Sequence, residues 1–277
     1  MTQAASIEPN PGSEVLRIQG VGKRFGDTQV LQGISFVLRE REILGVIGPS
    51  GSGKTTLLRC INLLERIDEG QIEYLGPHKL IVTPTDVATT KKKSGLKPYS
   101  SIRTSVDLLR QDIGFVFQGF NLWEERTVLG NLILAPTVVL KQPTREAEAR
   151  ARKLCQQFGL EEKIAANVWQ LSGGQRQRVA IIRALMMQPK VMLLDEITSA
   201  LDPVLTVEVM QAIKQLRDQG LTMMIVTHHI EFASSVCDRI MFLSDGKITQ
   251  LGSPETLRTT PANERVKQFL AILRAAR

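Results

Sequence analysis

Eight consecutive residues have the types and spacing needed to hold a chain of phosphates. They read Gly48-Pro49-Ser50-Gly51-Ser52-Gly53-Lys54-Thr55, match the pattern G-x-x-x-x-G-K-[ST] and are followed by Thr56. Glycines let consecutive backbone N–H groups turn toward phosphate oxygens, and a helix that begins here points its positive end at them. In this pattern the lysine reaches the β- and γ-phosphates and the Thr55 hydroxyl binds Mg²⁺. The segment therefore predicts a nucleoside triphosphate site.

Two adjacent carboxylates provide a second piece of chemistry. Asp195 and Glu196 follow the apolar run 191–194, so they are expected at the end of a buried strand, where open α/β sheets bind ligands. Asp195 suits the shell of a Mg²⁺ ion, and Glu196 could polarise a water molecule for attack on the γ-phosphate. If the phosphate loop is left aside, the same pair could also be two solvent-exposed carboxylates at the end of a strand, with no role in chemistry. Together the two motifs predict hydrolysis of the nucleotide.

A second glycine-rich segment opens another predicted helix. Leu171 is followed by Ser172, Gly173, Gly174 and Gln175, with no lysine beside them. The N–H groups, the Ser172 hydroxyl and the helix dipole would form another anion seat. A helix that is merely capped after a loop fits the segment about equally well. If the segment does bind an anion, the chain has two phosphate-binding segments but a lysine in only one of them. This is explained if each nucleotide is bound between two copies of the chain.

The histidines and cysteines do not form a metal site of recognisable spacing. His228 and His229 are neighbours in sequence, so at a strand end they point to opposite faces and cannot jointly hold one ion. The three cysteines are widely spaced and odd in number, which indicates reduced thiols rather than a disulfide frame or a zinc site.

The elements that must position these motifs alternate between strand and helix along the chain. Apolar, β-branched runs predict strands at 15–19, 34–38, 43–47, 191–194 and 221–226. Capping residues and glycine stops predict helices over 144–159 with Thr144 as the cap, over 172–187, and from Asp202-Pro203 to Gly220. This alternation predicts an α/β fold with a parallel sheet.

Composition excludes several classes of protein. The chain has 277 residues, 43% hydrophobic and 23% charged, which excludes global disorder and fibrous repeats. No apolar stretch approaches the roughly 18 residues of a membrane span, so the chain is not expected to form a channel, and 1–13 does not have the pattern of a secretory signal. The net charge of +7 leaves nucleic acid, an anionic membrane and phosphorylated ligands open.

The chain resembles the nucleotide-binding domain of ABC transporters from about residue 15 to residue 252. The resemblance rests on four motifs that occur in the order found in that domain: the glycine loop, 171–175, 193–196 and 199–202. The discriminating motif is Leu-Ser-Gly-Gly-Gln, because the Lys54 loop occurs across many P-loop NTPases. The resemblance implies a P-loop core with a parallel sheet, a small antiparallel β part and an inserted helical subdomain. It also implies ATP and Mg²⁺ as cofactors.

The resemblance assigns roles to further residues. Phe25 matches an aromatic that stacks on adenine, and Gln118 matches a glutamine that links Mg²⁺ and the attacking water to the helical subdomain. His228 matches the histidine that senses the γ-phosphate, and Asp202 matches an aspartate that crosses the interface of a head-to-tail dimer. Taken alone, Phe25 would more often be a core residue and Gln118 a surface amide.

A finer resemblance is to the ATPases of bacterial polar amino acid importers. It rests on Phe120-Asn121-Leu122-Trp123 and on 127–129, 135–136, 139–140 and 236–242. Ile197, Ile182 and the charged Glu124-Glu125-Arg126 depart from the usual pattern. The resemblance implies a homodimer or a pair of ATPase subunits, integral-membrane permease subunits, an extracytoplasmic solute-binding protein and a peripheral position on the cytoplasmic side of the bacterial inner membrane.

Two other functions stay open. One is an exporter ATPase of the lipoprotein or macrolide type. The other is a non-transport ABC ATPase acting on nucleic acid or ribosomes; such proteins usually carry tandem cassettes or a long coiled coil, and neither is evident here. Nucleic acid is therefore not an expected partner.

From the sequence and the resemblance we expect three parts: a flexible tail (1–13), an ABC ATPase domain (14–252) and a C-terminal helical extension (253–277). Within the domain we expect a helical subdomain at about 119–186 and a mobile polar insertion at about 76–105. The lysines at 91–93 suit a solvated loop or lipid headgroups. The apolar stripe of Val266, Phe269, Leu270 and Leu273 is expected to pack on its own domain, with a dimer contact as the alternative.

Overall fold

The computed structural model describes residues 12–85, 99–199 and 201–275. The strands are β1 (Glu14–Phe25), β2 (Thr28–Arg39), β3 (Ile43–Ile47), β4 (Glu69–Tyr74), β5 (Leu80–Val82), β6 (Ile113–Val116), β7 (Val191–Asp195), β8 (Thr222–Val226), β9 (Arg239–Ser244) and β10 (Lys247–Gly252). The helices are α1 (Lys54–Ile61), α2 (Tyr99–Asp112), α3 (Val128–Val138), α4 (Thr144–Gln157), α5 (Gly173–Leu185), α6 (Pro203–Asp218), α7 (Ile230–Val236), α8 (Pro254–Thr259) and α9 (Glu264–Ala275). Short 3₁₀ turns occupy Glu161–Lys163 and Val168–Gln170.

A six-stranded sheet in the order β10-β9-β3-β8-β7-β6 carries the candidate site. All its neighbouring strands are parallel except β10, which is antiparallel to β9. Every residue of β3, β7 and β8 is buried, as expected for parallel strands covered on both faces. Their side chains alternate between two hydrophobic clusters: Met192 and Leu194 join one cluster, and Leu193 joins the other. The predicted α/β fold is confirmed.

A second, antiparallel sheet has the order β2-β1-β4-β5. Its first two strands form a hairpin in which Phe25 pairs with Thr28 across the predicted turn. The apolar side chains of this sheet share a cluster with α1 and one face of the parallel sheet. The other face is covered by α3, α4, α5, α6 and α7. The antiparallel β part implied by the resemblance is thus present beside α1.

Part of the predicted insertion has regular structure. β5 pairs antiparallel with β4, with Tyr74 opposite Leu80, and α2 begins at Tyr99. The sequence interpretation of 76–105 as a mobile polar insertion did not foresee either of these two elements. A short edge strand and a helix anchored by the buried Leu109 need few apolar residues, so a polar composition conceals them. The lysines at 91–93 and residues 1–11 of the predicted tail lie outside the described residues.

Helix ends follow the predicted caps with one exception. Asp202 caps α6, since its side chain accepts a 2.9 Å hydrogen bond from the Leu205 N–H, and Pro203 is the first helical residue. Thr144 is not a cap, because the capping position is Pro143 and no side chain makes the cap hydrogen bond. Proline fixes φ near the value that a helix start needs, so α4 begins without a polar cap.

The C-terminal helix α9 packs on the chain's own domain, as predicted. Val266 is fully buried, and the ring of Phe269 lies edge-on to that of Phe242, with 5.1 Å between centroids. All three cysteines are free and buried, and burial raises the pKa of Cys60 and Cys237 to about 12. No helix in the described parts of the chain is both long and apolar enough to cross a membrane.

Candidate functional site

The carboxyl ends of β3, β7 and β8 bring the predicted chemical groups to one edge of the sheet. The register places Asp195 beside Val226, and Val226 in turn beside Val46. Two backbone hydrogen bonds extend the pairing of these strands beyond their ends. The Glu196 N–H donates to the Val226 carbonyl oxygen at 3.1 Å, and the Thr227 N–H donates to the Val46 carbonyl oxygen at 3.3 Å. The residues that follow each strand, including Gly48, are therefore neighbours.

The phosphate loop depends on glycine at two tight positions. Gly48 has φ 150°, and a Cβ built on it would lie 2.0 Å from the carbonyl oxygen of Leu243. Gly53 has φ 99°, and a Cβ there would lie 2.9 Å from the carbonyl oxygen of Val30. Any other side chain at either position would collide with backbone. The loop thus closes against β9 and β2, and α1 begins at Lys54 with its N-terminus facing the loop.

Lys54 is buried inside the loop that it is predicted to serve. Its Nζ donates to the carbonyl oxygens of Gly48 and Pro49 at 3.1 and 3.0 Å and lies 3.9 Å from Oε1 of Glu196. Burial lowers the pKa of the Lys54 ammonium, and the nearby Glu196 and Asp195 carboxylates partly oppose that shift. A phosphate chain in the loop would give this desolvated cation stronger acceptors than neutral carbonyls.

Thr55 and Asp195 bring two side-chain oxygen atoms into direct contact. The Thr55 hydroxyl donates to Oδ1 of Asp195 at 2.9 Å, and Asp195 is only 3% exposed. Burial raises the pKa of Asp195, against the hydrogen bond from Thr55. A hydroxyl and a carboxylate suit Mg²⁺, which usually takes its remaining ligands from water and substrate phosphates. No group of three or more metal-ligating side chains occurs in the portion of the chain that the structure covers, so a cage made entirely by protein is absent there.

Glu196 lies at the centre of the site. Its Oε1 is 2.8 Å from Nε2 of His228, which follows β8, and its backbone adopts the left-handed conformation with φ 46°. Non-glycine residues adopt this conformation mainly where the surroundings enforce it, and such positions cluster at functional sites. The left-handed turn directly follows the β7 strand, and the carboxylate is held between the Lys54 and His228 side chains.

Gln118 reaches the same site through a residue to which the sequence motifs assigned no role. Its Nε2 donates to the Ser199 hydroxyl at 3.0 Å, and that hydroxyl donates to the Glu196 carbonyl oxygen at 2.9 Å. Ser199 belongs to the segment 199–202 that carried part of the family resemblance, so its position was visible in the sequence but its link to Gln118 was not.

The second glycine segment caps its own helix. The Ser172 hydroxyl accepts from the Gln175 N–H at 3.3 Å, and the Gln175 side chain accepts from the Ser172 N–H at 3.0 Å. A Cβ on Gly174 would lie 3.0 Å from Leu205, so the close approach of α5 to α6 favours glycine here. Among the contacts described for this chain, Ser172, Gln175, Phe25 and Asp202 do not touch the Lys54 loop.

Phe25 and Asp202 lie on separate elements, one at the β1–β2 turn and the other at the start of α6. Phe25 is 46% exposed at the β1–β2 turn, with Nζ of Lys23 5.0 Å from its ring centroid. It is therefore not a core residue, and an exposed ring face is available to a planar ligand. Asp202 is exposed at the start of α6, where its side chain serves as the cap.

Comparison with known proteins connects this geometry to a family. A family model described as ABC transporter matches residues 31–199. The arginine transport ATP-binding protein ArgV of Corynebacterium glutamicum is 45% identical over 255 residues, which cover 92% of this chain and 96% of that protein. The glutamine transport ATP-binding protein GlnQ of Bacillus subtilis is 43% identical over 257 residues, which cover 93% and 98%. The L-cystine transport system ATP-binding protein TcyN of Escherichia coli is 45% identical over 255 residues, which cover 92% and 96%.

Solved structures share the fold along most of the chain. cbiO1 from Clostridium perfringens, part of the ABC transporter complex cbiONQ, superposes with a TM-score of 0.74 at 26% identity and covers 94% of this chain and 95% of its own. A dimeric ATP-binding cassette, MJ0796, in a post-hydrolysis state with ADP and phosphate, superposes with a TM-score of 0.69 at 31% identity and covers 86% and 98%. The chain therefore belongs to the ABC transporter family, and it is an ATP-hydrolysing subunit of that family.

Proposed function

We propose that this ATPase powers the import of polar amino acids, working as a head-to-tail pair of copies beneath an integral-membrane permease on the cytoplasmic side of the bacterial inner membrane. An extracytoplasmic solute-binding protein would deliver the solute. The near full-length similarity to arginine, glutamine and cystine transport subunits supports the solute class. The net charge of +7 is compatible with a place under an anionic membrane surface.

The observation that carries the hydrolytic mechanism is the contact of Glu196 with His228 beside Lys54. In this mechanism the phosphate loop, 48–55 with Thr56, binds the β- and γ-phosphates, and Lys54 neutralises part of their charge. Glu196 orients a water molecule and accepts its proton as the oxygen attacks the γ-phosphorus. The bond to the β–γ bridging oxygen breaks, which leaves ADP and phosphate. His228 holds the Glu196 carboxylate in place.

Thr55 and Asp195, joined by Gln118 once the nucleotide is bound, are the proposed holders of Mg²⁺. The ion would offset the negative charge of the transferring phosphoryl group. The 2.9 Å contact between Thr55 and Asp195 already assembles two of these oxygens. Gln118 is tied to the Glu196 backbone through Ser199, so the proposed metal holder and the proposed base share one hydrogen-bonded chain.

The proposed dimer completes each nucleotide site with residues of the partner. Ser172 to Gln175 would face the γ-phosphate held by the other copy, since the start of α5 directs N–H groups and its positive dipole end outward. Phe25 would stack on the adenine, and Asp202 would contact the partner from the start of α6. The chain has two phosphate-binding segments but a lysine in only one of them, which supports a nucleotide site formed by two copies.

The test combines uptake with purification from membranes. Cells that lack the chain are complemented with wild type, Glu196→Gln or the matched control Glu255→Gln, whose carboxylate pairs with Arg258 on the exposed helix α8. We expect labelled arginine, glutamine or cystine uptake to return with wild type and the control and to stay absent with Glu196→Gln.

An integral-membrane protein should co-purify with the tagged wild-type chain. If DNA or ribosomes co-purify with the chain instead, and salt releases them from it, the proposal is contradicted and the nucleic-acid alternative is favoured. Outward transport of a lipid-linked or macrolide substrate would contradict it in favour of the exporter alternative.

A further inference from the structure

A buried lysine of β1 lies against the exposed ring of Phe25. The Nζ atom of Lys23 is 5.0 Å from the centroid of that ring. Lys23 is only 8% exposed, whereas Phe25 stands out into solvent. An ammonium this close to an aromatic ring forms a cation–π contact, which is stronger where the cation is withdrawn from water. One face of the ring is thus occupied from within the chain, and the opposite face is the one left for a planar ligand.

Asp68 fixes both the ammonium and the backbone beside it. Its Oδ2 lies 3.6 Å from Nζ of Lys23 and accepts a 2.7 Å hydrogen bond from the Arg24 N–H. The Asp68 N–H donates to the Gly22 carbonyl oxygen at 2.9 Å. Asp68 directly precedes β4, which pairs with β1 through Gly22 and Glu69. One aspartate therefore binds the backbone of β1 on both sides of Lys23 and the ammonium itself.

The strand pairing connects Lys23 to the phosphate loop. In the β1–β2 hairpin Lys23 lies opposite Leu31. A Cβ built on Gly53 would lie 2.8 Å from Cδ2 of Leu31 and 2.9 Å from the Val30 carbonyl oxygen, so this part of β2 packs directly on the loop. Lys23 thus joins the Phe25 ring to the part of the hairpin that contacts the loop. Because the loop would fix the phosphates, the base of a bound nucleotide reaches the ring only if the ring is held at the matching distance.

Core packing does not hold the ring. Phe25 pairs with Thr28 across a turn in which Gly26 has φ 56°. Within the described ranges of the chain, Phe25 joins neither hydrophobic cluster. A side chain that is free to rotate loses entropy when a ligand orders it, and this loss lowers affinity. A ring that Lys23 already holds would therefore bind a base more tightly than a free one.

We infer that Lys23 is a positioning residue for the nucleotide base, which covers one face of Phe25 so that the other face meets the adenine of a nucleotide bound in the phosphate loop. The inference rests on the proposed function for the stacking of Phe25 on adenine. Among the contacts described for this chain, Lys23 touches neither Lys54 nor Glu196, so it is assigned no part in hydrolysis. Its contribution is to affinity for the base and not to affinity for the phosphates.

Calorimetry on the full chain, with two ligands that differ by the nucleoside, tests the inference. Lys23→Leu keeps an apolar side chain and removes the ammonium. We expect it to weaken ADP binding by about 2- to 12-fold, the cost of ordering one freed side chain on binding, and to leave the affinity for inorganic pyrophosphate unchanged. Lys23→Arg keeps a cation beside the ring and should retain most of the ADP affinity. Lys153→Leu, which replaces an exposed lysine of α4, is the matched control and should equal wild type with both ligands.

Kinetics and a double variant separate positioning from a purely structural role. In Lys23→Leu the KM for ATP should rise by the factor seen for ADP, while kcat at saturating ATP stays at the value of the Lys153→Leu control. In a Phe25→Ala background Lys23→Leu should cause no further loss of ADP affinity, because the ring through which it acts is gone. Asp68→Asn removes the charge that fixes Lys23 and keeps an oxygen for the Arg24 N–H, so it gives the same comparisons if Lys23→Leu does not fold.

The outcomes distinguish this inference from the stacking on which it rests. An equal fall in affinity for ADP and pyrophosphate would show that Lys23 acts on the phosphates or on the fold as a whole, and would overturn the inference. A further loss in the Phe25→Ala background would do the same. If Phe25→Ala weakens ADP binding and Lys23→Leu does not, the inference alone is wrong. If Phe25→Ala leaves ADP binding unchanged, the proposed stacking is wrong and the inference falls with it.

Discussion

The carboxylate of Glu196 lies 2.8 Å from the imidazole of His228, although 32 residues separate them in the chain. The contact exists because β7 and β8 are parallel neighbours whose carboxyl ends coincide, with Asp195 opposite Val226. The left-handed backbone of Glu196 turns the chain directly after β7. The acid and its partner therefore come from two loops that the sheet register fixes, which is the usual origin of sites in open α/β sheets.

Replacing His228 should separate chemistry from nucleotide binding. We expect His228→Ala to lower kcat for ATP hydrolysis by about 10²–10⁴-fold, the range typical of assistance by a positioned acid or base, because Glu196 loses the group that orients it. Binding of ATP to the isolated chain should change little, since Lys54 and the loop glycines are untouched. The measurements are steady-state phosphate release and equilibrium binding of a fluorescent ATP analogue.

His229→Ala is the matched control for this variant. It removes the same ring from the adjacent position, where the His229 side chain makes no contact with Glu196 in the described structure. Equal losses of kcat in the two variants would contradict the role proposed for His228.

Gly48→Ala should abolish nucleotide binding. The added methyl group would lie 2.0 Å from the Leu243 carbonyl oxygen, so the loop or β9 must move. Displacement of the loop removes the acceptors of Lys54 and the N–H groups meant for phosphate. We expect no binding of the ATP analogue and a lower melting temperature. Gly76→Ala, where a Cβ meets nothing within 4 Å, should behave as wild type, and wild-type binding by Gly48→Ala would contradict the phosphate-loop assignment.

Phe25 should contribute to affinity for the base rather than to hydrolysis. Stacking on an aromatic side chain is worth about 1–3 kcal/mol per base, so Phe25→Ala should weaken ATP binding by roughly 5- to 150-fold, while Phe25→Trp retains it. Titration calorimetry with ADP checks this, and kcat at saturating ATP should be unchanged. Ile81→Ala removes another exposed apolar side chain, 58% exposed on β5, and should have no effect on binding. An affinity of Phe25→Ala equal to that control would remove Phe25 from the site.

Local patterns predicted the parts of this site that depend on neighbours in sequence. The cap at Asp202, the start of α5 at Ser172 and the loop before Lys54 each follow from a few adjacent residues, and each is present. The link from Gln118 through Ser199 depends on contacts between residues 81 positions apart, which no local spacing encodes. The cap of α4 is different, because Pro143 stands beside Thr144 in the sequence and its fixed φ gives a local reason for the helix to begin without a polar cap.

Asp195 should lower the stability of the nucleotide-free protein while being required for the Mg²⁺ complex. Burial raises its pKa above the ordinary value of 3.8, so the folded protein holds the proton more tightly than the unfolded chain does. Stability contributed by the protonated form is therefore lost as pH rises through the folded pKa, and at neutral pH the ionised group opposes folding. Asp195→Asn removes that charge and keeps an oxygen that can accept from Thr55, so its melting temperature without nucleotide should be higher than that of wild type at pH 7.

The stabilisation gained from Mg²⁺ and ADP should be smaller in Asp195→Asn, because a neutral amide is a poorer ligand for a hard cation than a carboxylate. Asp245→Asn is the control with the opposite sign, since the hydrogen bond from Arg265 lowers the pKa of Asp245 and its charge does not oppose folding. It should leave the response to Mg²⁺ and ADP intact and should not raise the melting temperature. Thermal unfolding at pH 7, with and without Mg²⁺ and ADP, measures both effects. A lower melting temperature for nucleotide-free Asp195→Asn, or an undiminished response to Mg²⁺ and ADP, would show that Asp195 is a structural carboxylate and not the proposed metal ligand.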